Sequence, residues 1–115
     1  MAGPLTITVE QTARATIIRL VGSASTGADV LLEEQFSKVA DAKPALVVVD
    51  LTRLDYLASQ AMGQLVTLHK SVKYGGGRVI LAGPTAKVLE AFHFARLGSL
   101  LTILPSVDAA LWNVT

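Results

Sequence analysis

Cysteine is absent from the chain, which excludes disulfides, zinc–thiolate sites and cysteine nucleophiles together. Aromatic residues are scarce: one Trp, two Tyr and three Phe. The core must therefore be built from Leu, Val, Ile and Ala, the usual filling of a sheet covered by helices. Charge of one sign is also lacking. Ten Lys and Arg face nine Asp and Glu, a net charge of +1, and the basic residues form no run. Such balance gives no long-range pull toward DNA, RNA or an anionic membrane, which leaves only a small patch assembled in three dimensions. No apolar run approaches the ~20 residues of a membrane span. Met1-Ala2-Gly3-Pro4 lacks the charged and apolar regions of a signal peptide. By elimination, a cytoplasmic protein is expected.

What is present points to a folded chain. Of its 115 residues, 51% are hydrophobic and 17% charged, which excludes intrinsic disorder and suits one domain over residues 1–115. Leu5, Ile7 and Val9 alternate with polar neighbours, as in a strand with one wet face. Residues 15–21 read as a second strand ended by Gly22, with residues 11–14 as the hairpin between them. From Ala28 the period lengthens. Leu31/Leu32, Gln35/Phe36 and Val39/Ala40 mark an amphipathic helix that Pro44 stops. Residues 45–49 are a short apolar strand, and 50–58 read as its connection to a second helix.

That helix is expected from Ser59 to Tyr74, ended by Gly75-Gly76-Gly77. A strand over 79–82, a helix over 85–97, a strand over 100–104 and a short helix through Val107, Ala110, Leu111 and Val114 complete the chain. The order ββαβαβαβα predicts an α/β fold with a mixed, mostly parallel central sheet covered by helices.

Several catalytic readings fail on their own terms. Gly75-Gly76-Gly77 runs from helix to strand, the reverse of a phosphate loop, and reads as a helix end. Asp50 and Asp55 lack the acidic pair and lysine of a phosphoacceptor site and read as loop acids. His69 and His93 stand on separate helices without a partner at ligand spacing. No catalytic residue, metal site or cofactor is expected, so the chain reads as a binding module rather than an enzyme. Tyr56, Phe92, Phe94 and Trp112 are assigned to the core, with Tyr56 and Phe94 as the candidates for interface anchors if exposed.

One segment carries more. Val47-Val48-Val49-Asp50-Leu51 leads through Tyr56 and Ala58 to Ser59-Gln60-Ala61-Met62-Gly63. An apolar strand ending in Asp-Leu, a loop with an aromatic residue and a serine opening a helix resemble the STAS domain of anti-sigma-factor antagonists. Gly75 to Ala82 and Val88-Leu89 through Leu97-Gly98 extend the resemblance over nearly the whole chain. In that family the turn reads Asp-Ser-Ser/Thr-Gly-Leu-Gly, and its first serine is phosphorylated by a kinase that doubles as the anti-sigma factor. Ser59 matches that serine, while Ala58, Gln60 and Ala61 stand at the aspartate, second hydroxyl and glycine. Gly22-Ser23-Ala24-Ser25 replaces the family's Gly-Glu-Leu-Asp, so both of its acids are missing.

The resemblance implies a partner-switching regulator that docks a kinase-type anti-sigma factor. The implied surface comprises Ser23, Ser25, Thr26, Tyr56, Ala58, Ser59, Gln60 and Met62, with Ser59 as the phosphorylation candidate. The alternative is a constitutive STAS adaptor in a transporter or signalling scaffold. A structural role competes at each hydroxyl. Ser59 is expected at a helix N-cap, where serine accepts a backbone amide for about 1 kcal/mol. Ser23, Ser25 and Thr26 suit cap and turn positions for the first helix.

Overall fold

The computed structural model describes residues 4–112. Strand β1 (Thr6–Gln11) pairs antiparallel with β2 (Thr16–Ala24) across a tight hairpin. The Thr12 hydroxyl donates to the Ala15 carbonyl and accepts the Ala15 amide, closing that hairpin at 2.9 and 3.0 Å. Then follow α1 (Ala28–Asp41), β3 (Leu46–Leu57), α2 (Ser59–Tyr74), β4 (Arg78–Ala82), α3 (Ala86–Phe94), β5 (Thr102–Leu104) and α4 (Val107–Trp112). This is the expected order. The sheet runs β1-β2-β3-β4-β5 and is parallel from β2 onward.

Sequential parallel neighbours joined by crossovers of one hand place their helices on one face. The core agrees. Leu32 and Phe36 of α1, Leu65 and Leu68 of α2 and Phe92 of α3 join Ile18, Val49 and Leu81 of the sheet in one cluster. Among the described residues, α4 is the one helix on the other face, where Ala110 meets a smaller cluster with Ile17, Val48 and Ile80.

Several boundaries differ from expectation. Gly22 does not end β2, which continues to Ala24. Residues 50–58 are not a loop: β3 runs for 12 residues. Its register explains why. While β2 advances from Arg19 to Val21, β3 advances from Asp50 to Arg53; while β2 advances from Gly22 to Ser23, β3 advances from Leu54 to Tyr56. Each step inserts one extra residue, a β-bulge, and shifts which side chains face inward. Leu51, Leu54 and Leu57 are therefore all buried despite a spacing of three.

α3 starts at Ala86 and ends at Phe94, because Thr85 caps it and the chain turns through Arg96 at φ 58° well before Gly98. β5 is shorter than expected, and Val114 lies outside the described residues. Among the aromatics assigned to the core only Phe92 is buried. Tyr56, Phe94 and Trp112 are exposed, the last two by 82%.

Candidate functional site

The parallel strands β2 and β3 end together, and their tips build the turn before α2. The Ala58 amide donates to the Ala24 carbonyl at 2.8 Å. That bond holds Ala58 in extended backbone, φ −73° and ψ 159°, as the N-cap of α2. Ser59 is therefore not the cap. It is the first helical residue, exposed, with no side-chain hydrogen bond among the described residues. The Met62 amide is the first to bond back, to the Ala58 carbonyl at 2.9 Å. The amides of Ser59, Gln60 and Ala61 thus lack intrahelical acceptors, and the first turn of α2 carries no acid.

A measurable difference follows between two hydroxyls. The Thr85 side chain caps α3 by accepting the Val88 amide at 3.3 Å. Thr85→Ala should cost about 1 kcal/mol of unfolding free energy. Ser59→Ala should stay within about 0.5 kcal/mol, the range of a surface change. Urea unfolding of both variants checks this; an equal loss would restore Ser59 as a structural cap.

The surroundings of Ser59 are apolar. An open groove of about 640 Å³ between α2 and α3 is lined by Tyr56, Ser59, Met62, Val66, Phe94 and Leu97. Met62 is buried in its floor, whereas Tyr56 is 45% and Phe94 82% exposed at its rim. The Lys87 ammonium lies 6.0 Å from the centre of the Tyr56 ring, at the outer limit of a cation–π contact.

The other candidates lie beside this groove. Ser23, Ser25 and Thr26 line a separate recess with Pro4, Leu5 and Leu31. Their hydroxyls do not cap α1: its N-cap is Gly27, in left-handed backbone at φ 97°, without a side-chain bond. The Ser23 and Ser25 hydroxyls bond each other at 2.8 Å. Gln60 is exposed and lines neither recess. The fold thus gathers Tyr56, Ser59 and Met62 in one groove and the serine loop next to it, joined through Ala58 and Ala24. Val66, which the spacing places with Met62 on the apolar face of α2, and Leu97, expected at the end of α3, also line the groove but were not among the expected docking residues.

Asp50 has a structural role. Asp50 accepts the Thr52 amide and hydroxyl at 3.0 and 2.7 Å and lies 3.7 Å from Arg19, which also pairs with Glu10. This ladder ties β1, β2 and β3 together. Among the described residues no group of three His, Asp or Glu could hold a metal ion, and no helix is long and apolar enough to cross a membrane.

These features define an α/β module that presents an uncapped serine and an apolar groove at the carboxyl ends of its parallel strands. A family model for the STAS domain matches residues 6–110, and the chain belongs to that family. An anti-sigma factor antagonist from Mycobacterium paratuberculosis superposes with a TM-score of 0.89 at 20% identity, covering 99% of this chain and 98% of that one. The phosphorylated form of the Bacillus cell fate determinant SpoIIAA gives 0.73 at 20% identity, with 96% and 100% covered. A sulfate transporter family protein from Wolinella succinogenes gives 0.75 at 18% identity, with 90% and 86% covered. At these identities the likeness is one of fold. No curated protein matches the sequence.

Proposed function

We propose that this chain is an anti-sigma-factor-antagonist-like partner-switching regulator. It docks a kinase-type anti-sigma factor through the Ser59 turn and residues 23–27 at the end of β2 and the turn after it, and phosphorylation of Ser59 controls the complex. One observation carries the reading: the Ser59 hydroxyl is exposed at the opening of α2, free of any capping bond, beside an apolar groove. The serine has no structural duty there that would explain it. A phosphoryl group on its Oγ would meet the positive end of the helix and the free amides of Ser59, Gln60 and Ala61. It would also place nearly two negative charges against Tyr56 and Met62, where a docked apolar surface would have to desolvate them. Release of the partner follows.

The same groove serves a second reading, a constitutive STAS adaptor in a transporter or signalling scaffold. The acid-free first turn of α2 and the fold shared with a sulfate transporter family protein favour it. Both readings need protein docking and no cofactor of the chain's own; nucleotide belongs to the partner. Incubation with the kinase-type partner and ATP, followed by mass spectrometry, separates them. The switch predicts one phosphate on Ser59, lost in Ser59→Ala. An unmodified Ser59 under conditions where the partner hydrolyses ATP would leave the adaptor.

A further inference from the structure

The basic residues are scattered in sequence, yet the fold collects five of them at the end of the sheet opposite Ser59. The turn of residues 42–46, which opens β3, is the hub. Lys43 lines a cleft with Lys70 and Tyr74 between the carboxyl ends of α1 and α2. Arg14 shares an adjoining recess with Ala42 and Pro44. The Arg78 amide donates to the Ala45 carbonyl at 3.1 Å, and Lys73 lies in the last turn of α2. All five residues are exposed, and none forms an ion pair among the described residues. Lys38, nearby on α1, is already matched by Glu34.

Cations at helix carboxyl ends have a structural use, since each end carries about half a negative charge. The two helices therefore absorb about one of these charges. Asp41, the one acid lining the cleft, absorbs another. Most of the positive charge stays unbalanced. Within it stands Tyr74, 97% exposed.

We propose that this pole is a docking surface for an anionic phospholipid bilayer, which holds the protein peripherally. Its composition selects that occupant. The cations lining the cleft are lysines, Lys43 from the turn before β3 and Lys70 from the end of α2, flexible point charges that can reach a plane of headgroups together. A single amphipathic tyrosine beside them suits the headgroup level, where its ring and hydroxyl find different surroundings. A single-stranded nucleic acid would call for several stacking rings, and the pole has one. The 16 residues of α2 separate this pole from the Ser59 turn by roughly 24 Å. A bilayer bound here leaves the groove open, so the inference stands apart from the proposed partner.

Vesicle co-sedimentation tests it, using phosphatidylcholine vesicles with and without phosphatidylserine at low ionic strength. Wild-type protein should sediment with the anionic vesicles only and be released by added salt. Lys43→Gln and Lys70→Gln should each weaken binding about fivefold. Tyr74→Ser should weaken it too, whereas Arg53→Gln, toward the Ser59 end, should not. Circular dichroism confirms that each exposed substitution leaves the fold intact. Equal sedimentation with neutral vesicles, or unchanged binding by Lys70→Gln, would overturn the proposal. Displacement from anionic vesicles by a duplex oligonucleotide that binds more tightly would overturn it in favour of nucleic acid.

Discussion

Gly77→Ala should destabilise the fold by about 3 kcal/mol or more, the upper range for forcing atoms into a packed site. The Gly77 amide bonds the Val72 carbonyl at 2.9 Å, and the next amide, Arg78, bonds the Ala45 carbonyl. Residue 77 is thus pinned between the end of α2 and the turn that opens β3. A Cβ there would collide with the Pro44 carbonyl oxygen and press on Val72 and the Ala45 carbonyl. Two of those three obstacles are backbone and cannot rotate away. Relief requires moving the start of β3, the central strand.

Gly76 supplies the contrast. Its backbone is left-handed at φ 95°, but a Cβ would meet nothing within 4 Å. Gly76→Ala should therefore cost only the conformational strain, about 1–2 kcal/mol. Denaturant unfolding of the two variants decides the matter. Equal losses would mean that conformation, and not the close approach at residue 77, sets the requirement for glycine.

Joint replacement of Tyr56 and Phe94 by serine should weaken binding of the proposed partner by more than about 30-fold at a modest cost in stability. Exposed aromatic rings at the rim of an apolar groove are the usual anchors of an interface, each worth about 2 kcal/mol or more. A loss of 2 kcal/mol is about 30-fold in affinity. Phe94 contributes little to the fold, being 82% exposed, whereas Tyr56 at 45% buries about half its surface, so unfolding should shift by about 1–2 kcal/mol, nearly all of it from Tyr56. Calorimetric titration with the proposed kinase-type partner, paired with a melting curve, reads both quantities. Unchanged affinity would place the docking surface elsewhere.

The elements that sequence reasoning located best are those held by local chemistry. α2 begins at Ser59 and ends at Tyr74, as expected, because Met62, Leu65, Leu68 and Val72 repeat at helical spacing and three glycines follow. The second half of β3 was illegible for a non-local reason. Leu51, Leu54 and Leu57 fit a strand only because two bulges form against β2, and nothing within residues 50–58 announces that pairing. The cap of α2 failed in the same way. Serine is the better intrinsic N-cap, but the bond from Ala58 to Ala24 sets the cap one residue earlier.

The candidate site was legible in its centre and obscure at its margins. Ser59, Tyr56 and Met62 share the groove as a connected surface requires. Phe94 and Trp112 show how aromatic residues mislead, since size argues for burial while their short helices leave them outside. The basic pole was invisible for a simpler reason. Arg14, Lys43 and Arg78 are far apart in the chain and meet because parallel strands start at one end of a sheet.

The central claim is that the Ser59 turn is a docking surface switched by charge. Titration of the proposed kinase-type partner with Ser59→Ala and Ser59→Asp tests it most directly. The account predicts that Ser59→Ala binds within about twofold of wild type, because the hydroxyl caps nothing, and that Ser59→Asp loses affinity by about tenfold or more. Wild-type affinity in Ser59→Asp would contradict it.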